Sequence, residues 1–163
     1  MAFTLLRAAA IFGVGGSLLA VALPAFVTNL SASKWSEPID GLAKISRGAI
    51  SHADTHPHEV AFPPSVPRTP SAIPRGERVV DPPGTWAHLT WRALDFSMAE
   101  PHAYAYQFDS ALDATSGSFR FAATASGDLD GDGNTSTFQV QGEAPAAGPA
   151  QMFPGLLIDR EVE

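Results

Sequence analysis

Hydrophobic and polar positions divide this chain into four stretches of different texture. Ala8 to Val27 carries no charged side chain, and as a helix at about 1.5 Å rise per residue it matches the roughly 30 Å of a bilayer's hydrocarbon. Gly13, Gly15, Gly16 and Pro24 would weaken such a helix in water and are better tolerated in lipid, where the backbone has no other partner. From Trp35 to His52 the apolar residues Ile39, Leu42, Ile45, Ala49 and Ile50 draw one stripe, with Lys34, Glu37, Asp40, Lys44 and Arg47 on the remaining faces. Ser36 reads as an N-cap ahead of Pro38, so this pattern predicts an amphipathic helix that kinks at the proline without breaking. Pro57 to Gly84 contains eight prolines, which predict an irregular surface loop of polyproline character, either a connector or a partner-contacting segment.

From Thr85 onward the pattern is β-like and punctuated by turns. Trp86, Leu89, Trp91, Leu94 and Phe96 form an aromatic-rich cluster, and Ala103 to Phe108 alternates large and small side chains, as a strand with one packed face does. Ser118 to Ala125 and Thr135 to Gly142 supply the next two strands, giving an antiparallel meander whose apolar face needs a cover. The amphipathic helix is the long element available for it. The expected class is therefore α+β, a long N-terminal helix packed on a small antiparallel sheet of three to four strands. Its parts are a hydrophobic segment over 3–27, an amphipathic helix over 28–53, a proline-rich loop over 54–84 and a β-sheet head over 85–163.

Charge and composition sharpen this picture. Arg7 is the only charged side chain before Lys34, so the bias favours a cytoplasmic N-terminus and an exported head, a single pass through the inner membrane. A cleaved secretory signal is the alternative, with Arg7 as its basic region and Ser31-Ala32-Ser33 as small residues for cleavage. The part beyond residue 30 suffices for one modest core. Without cysteine, that core holds together with no disulfide and no thiolate metal site. The net charge of −7 argues against general nucleic-acid binding, which requires basic residues against phosphates. No cysteine nucleophile, Gly-x-Ser-x-Gly elbow, phosphate-binding glycine loop or His-Glu-x-x-His is present, and we expect no enzymatic activity.

One constellation carries coordination chemistry. Asp128, Asp130 and Asp132 stand at first, third and fifth positions, Gly133 at the sixth, Asn134 at the seventh and Ser136 at the ninth, a spacing that converges oxygens on a hard cation such as Ca2+. The twelfth position is Gln139, not a bidentate glutamate, so the site would be weak or completed by water. Asp-Gly and Gly-Asn pairs also serve as hairpin turns in their own right, although a turn does not need three mutually repelling aspartates. His52, Asp54, His56 and His58 form a second group of zinc- or copper-type ligands, but Pro57 disrupts the helix that would align them, and the tract reads as the polar end of that helix.

Ala2-Phe3-Thr4-Leu5-Leu6, followed by Gly16 and Pro24-Ala25-Phe26, resembles the processed N-terminus of type IV pilins and pseudopilins, whose mature chains begin with a methylated phenylalanine. The likeness continues through Ser36 to Ile45 and Arg47-Gly48-Ala49. In the head it takes in Thr85-Trp86, Trp91 to Met98, Pro101-His102, Tyr104-Ala105-Tyr106, Ala125 to Gly133, Ser136-Thr137-Phe138 and the closing Gly155 to Glu163, which look like pilin-like proteins of the deltaproteobacterial branch. The resemblance implies a pilin fold, residues 1–2 as a short leader, cleavage between Ala2 and Phe3 by a prepilin peptidase, and assembly with other pilin subunits through a helix that includes Phe3, Gly16 and Pro24. It departs from the family at Arg7, which stands where most pilins carry a glutamate that meets a neighbouring subunit's free amine. Two positive charges about 4 Å apart repel by roughly 4 kcal/mol at an effective dielectric near 20, which suits a minor or tip subunit better than a repeating one. Two other classes stay open: a membrane-anchored, calcium-binding recognition module that does not polymerise, and a secreted protein with a cleaved signal.

Overall fold

The computed structural model describes residues 35–160, nearly all within the second of two compact units, residues 1–36 and 37–163. Helix α1 covers residues 35–55 and continues through Pro38 without interruption. Its buried residues are Pro38, Gly41, Leu42, Ile45, Ser46 and Ala49, the three-and-four spacing of a single face. Ile39, counted on the apolar stripe by its spacing, is instead 44% exposed. A short 3-10 turn, His58–Val60, follows the helix.

The remainder is dominated by an antiparallel sheet of six strands: β1 (Val66–Thr69), β2 (Tyr104–Asp113), β3 (Ser118–Gly127), β4 (Ser136–Ala144), β5 (Gln151–Met152) and β6 (Leu157–Asp159). The order is β1-β2-β3-β4, with β5 and β6 both pairing against β4 at different points along it. The three central strands coincide with the alternating segments of the sequence. Register explains their fit: Tyr104 lies opposite Gly127, Tyr106 opposite Ala125 and Phe108 opposite Ala123, while Phe138 on β4 faces Ala125 from the other side. Small residues on β3 thus make room for rings on both neighbours. A Cβ at Gly127 would come within 2.7 Å of the Tyr104 ring.

The expectation of a long N-terminal helix on three or four strands, the pilin fold, is corrected on two counts. The sheet has six strands, because three short ones escape an alternation test. β1 lies inside the proline-rich stretch, where Pro67 is admissible only because the strand is at an edge and its register is irregular. The strands β5 and β6 are too short to show a period. The helical count is corrected as well: the long helix among the described residues is the amphipathic α1, and no described helix is long and apolar enough to cross a membrane. The hydrophobic segment over 3–27 lies outside the described residues. Finally, the aromatic cluster after Thr85 is not a strand. Leu89–Ala93 forms a short helix, α2, whose N-terminus is capped by the His88 side chain accepting from the Thr90 amide.

Helix α1 is bound to β2 by one carboxylate. Glu37 Oε1 accepts from the amides of Ala103 (2.8 Å) and Tyr104 (3.1 Å), its Oε2 pairs with Arg78, and its backbone carbonyl accepts from the Tyr106 hydroxyl at 3.2 Å. Two glycines permit the close approach. A Cβ at Gly41 would lie 2.5 Å from the Tyr106 ring, and one at Gly48 would lie 2.9 Å from the Leu94 carbonyl carbon. Beside them Trp86, Trp91, Phe96 and Tyr106 pack edge-on or tilted with ring centroids 5.0–6.3 Å apart. Asp81 closes this cluster by accepting from Trp86 Nε1 (2.7 Å) and from the fully buried His102 (2.9 Å).

Candidate metal centre

The loop between β3 and β4 gathers the three aspartates singled out by their spacing. One carboxylate oxygen from each of Asp128, Asp130 and Asp132 lies within 4.8 Å of the others. A cation with ligand distances of about 2.3–2.6 Å holds oxygens up to about 5 Å apart across itself, so this spacing fits a hard divalent ion. The donor set favours the hard class and does not distinguish calcium within it.

The loop is shaped by its own side chains. Asp128 is buried and receives the amides of Gly131 at 2.8 Å on Oδ1 and of Gly133 at 3.2 Å on Oδ2. Asp130 accepts from the Asp132 amide at 3.1 Å, and Asp132 accepts from the backbone and side-chain amides of Asn134, both at 2.7 Å. Gly131 and Gly133 adopt φ of 79° and 97°, the left-handed region that a bulky or β-branched residue would enter only under strain. The Asn134 backbone amide, then its side-chain amide, hold the Asp132 carboxyl below the usual carboxylate range.

The side chains of the other two candidate ligands have hydrogen-bond partners of their own. Asn134 is turned toward Asp132, and its side-chain oxygen is 3.5 Å from Arg160. Ser136 is buried at the start of β4, with its hydroxyl on the Gly127 carbonyl at 3.3 Å and hydrogen-bonded to the Tyr104 side chain. Gln139, at the twelfth position, is held within the sheet by Thr124. The remaining site candidates, Ala2, Phe3, Arg7, Gly16 and Pro24, lie outside the described residues.

A positive side chain already stands beside this loop, brought there from a distant segment. Arg75 Nε sits 3.8 Å from Asp128 Oδ2, and the neighbouring Gly76 amide donates to the Asp128 carbonyl at 2.9 Å. The proline-rich segment is thereby fastened to the acidic loop, a long-range pairing that no local spacing announces. Comparison with known proteins adds no relative: no family model, no curated protein and no solved structure matches this chain.

Proposed function

We propose that this chain is a structural subunit of a type IV pilus or of a type II secretion-like pseudopilus, in a minor or tip position. The observation that carries the reading is the N-terminal series Phe3-Thr4-Leu5-Leu6, Gly16 and Pro24 in register, upstream of an amphipathic helix fixed to an antiparallel sheet by Glu37. The apolar segment Ala8 to Val27 holds the chain in the inner membrane and meets other subunits, after a prepilin peptidase has cut between Ala2 and Phe3. Arg7 repels the free amine that a neighbour would present, which limits the chain to positions with few such contacts. The exported part carries the Asp128–Asp130–Asp132 loop, which takes Ca2+ and stiffens the β3–β4 connection.

The experiment is to shear surface filaments from the producing cell and measure this chain against the main filament protein. The reading predicts its presence at a small fraction of the main subunit. Complete retention in the membrane fraction supports the non-polymerising anchored module, and stoichiometric incorporation refutes the inference drawn from Arg7.

A further inference from the structure

His102 is a fully buried histidine just before β2, and an oxygen faces each of its ring nitrogens. Nδ1 lies 2.8 Å from the Tyr104 carbonyl oxygen, which only accepts, so Nδ1 carries a proton. Nε2 lies 2.9 Å from Asp81 Oδ2, and the same oxygen accepts from Trp86 Nε1 at 2.7 Å. A hydrogen bond to a carboxylate favours its ionised form, so Asp81 keeps its charge and the second proton sits on Nε2. A ring with only one proton would set a nitrogen lone pair against an oxygen at 2.8 or 2.9 Å, where the ring has no exposed surface.

The other four histidines are placed differently. His52, His56 and His58 each have a backbone carbonyl at one ring nitrogen, and His88 accepts from the Thr90 amide at Nδ1. None of the four is fully buried. The other ionisable groups at this corner have places of their own. Glu37 from α1 accepts from the Ala103 and Tyr104 amides and pairs with Arg78, and burial keeps the Tyr104 and Tyr106 hydroxyls of β2 protonated. Glu77 and Glu100 are exposed. Asp81 is thus the carboxylate that touches the ring, and the two charges cancel.

The pair joins two separate parts of the chain. Asp81 belongs to the proline-rich stretch, and close to it the Val79 backbone exchanges two hydrogen bonds with His102, at 2.9 and 3.0 Å. We propose that Asp81 and His102 form a latch closed by a proton. With both ring nitrogens protonated, Asp81 and Trp86 are held against the start of β2. Loss of the Nε2 proton as pH rises turns Asp81 out and frees this end of the proline-rich stretch. A histidine in the unfolded chain gives up that proton near about pH 6.5, so above it folding takes up one proton. The latch's contribution is therefore complete below about pH 6.5 and is lost as pH rises, with the unfolding equilibrium growing by up to about tenfold per pH unit.

Nitrogen-15 NMR of the full chain in detergent micelles, with labelled histidine assigned by through-bond correlation, reads the ring directly. About one pH unit above the ordinary histidine value of about 6.5, His102 should show a proton on each ring nitrogen while the other four histidines show one. Urea unfolding across the same range is the second readout. The wild-type unfolding equilibrium should rise with pH. In Asp81→Asn the carboxamide offers its oxygen to Trp86 Nε1 and an N–H to a bare Nε2, so that rise should disappear. A His102 ring with a single proton at that pH overturns the proposal, whether or not the variant folds. So does a pH dependence that Asp81→Asn leaves unchanged.

Discussion

Replacing Glu37 with alanine removes the acceptor for two backbone amides that have no water to turn to. Ala103 is 7% exposed and Tyr104 is 1% exposed, and both amides end on Glu37 Oε1. Each buried donor left without a partner costs about 1–3 kcal/mol. The ion pair with Arg78 adds little, because Arg78 is 59% exposed and an exposed pair is worth about 0–1 kcal/mol. Alanine's better helix propensity returns only a few tenths of a kcal/mol. The expected loss is about 4 kcal/mol, which for a domain of this size lowers the melting temperature by about 12–16 °C. Glu37→Gln keeps a side-chain carbonyl in place and should lose about 1–2 kcal/mol. Urea unfolding of the full chain, followed by the fluorescence of Trp86 and Trp91, reads both variants. A Glu37→Ala stability within about 0.5 kcal/mol of wild type would refute the claim that this carboxylate binds α1 to β2.

Other perturbations test separate parts of the account. Gly48→Ala sets a methyl against the Leu94 backbone, which cannot swing aside as a flexible side chain would; overpacking of about 1–3 kcal/mol should exceed the helix gain of about 1 kcal/mol, visible as a lower urea midpoint. Asp81→Ala leaves Trp86 Nε1 and buried His102 without their acceptor and should cost about 3–5 kcal/mol in the same titration, with Asp81→Asn intermediate. Burial first, and the nearby Glu37 second, raise the Tyr106 hydroxyl above the ordinary tyrosine value of 10.0, and burial raises Tyr104 as well. Protonated tyrosine is the form the fold favours. This stability is therefore complete below pH 10.0 and falls as pH rises beyond it, and tyrosinate absorbance should grow only together with unfolding. Millimolar Ca2+ should raise the melting temperature, and Asp130→Ala should abolish the rise; an unshifted wild-type melt removes calcium from the account.

The central strands were legible because Tyr104, Tyr106 and Phe108 alternate with smaller or polar residues, and because β3 offers Gly127, Ala125 and Ala123 in the matching register. Helix α1 was legible in Leu42, Ile45 and Ala49, all buried as their spacing required. What escaped depends on distant partners. Val66 to Thr69 becomes a strand because β2 offers an edge, in spite of Pro67. Leu89–Ala93 becomes a helix although Trp86, Leu89, Trp91, Leu94 and Phe96 recur at steps of three and two, a spacing that fits neither period cleanly. The acidic triad was readable from local spacing alone, since each aspartate shapes the turn through amides two to five residues ahead. Arg75 against Asp128 was not, nor was the Asp81–His102–Trp86 network, because each joins segments whose meeting the fold decides.

The central claim is that this chain enters a filament through a processed N-terminus. Mass spectrometry of the N-terminal peptide from the exported protein tests it most directly. The account predicts a chain that begins at Phe3 with a methylated amine. A chain that retains Met1, or one that begins near Trp35, would contradict it.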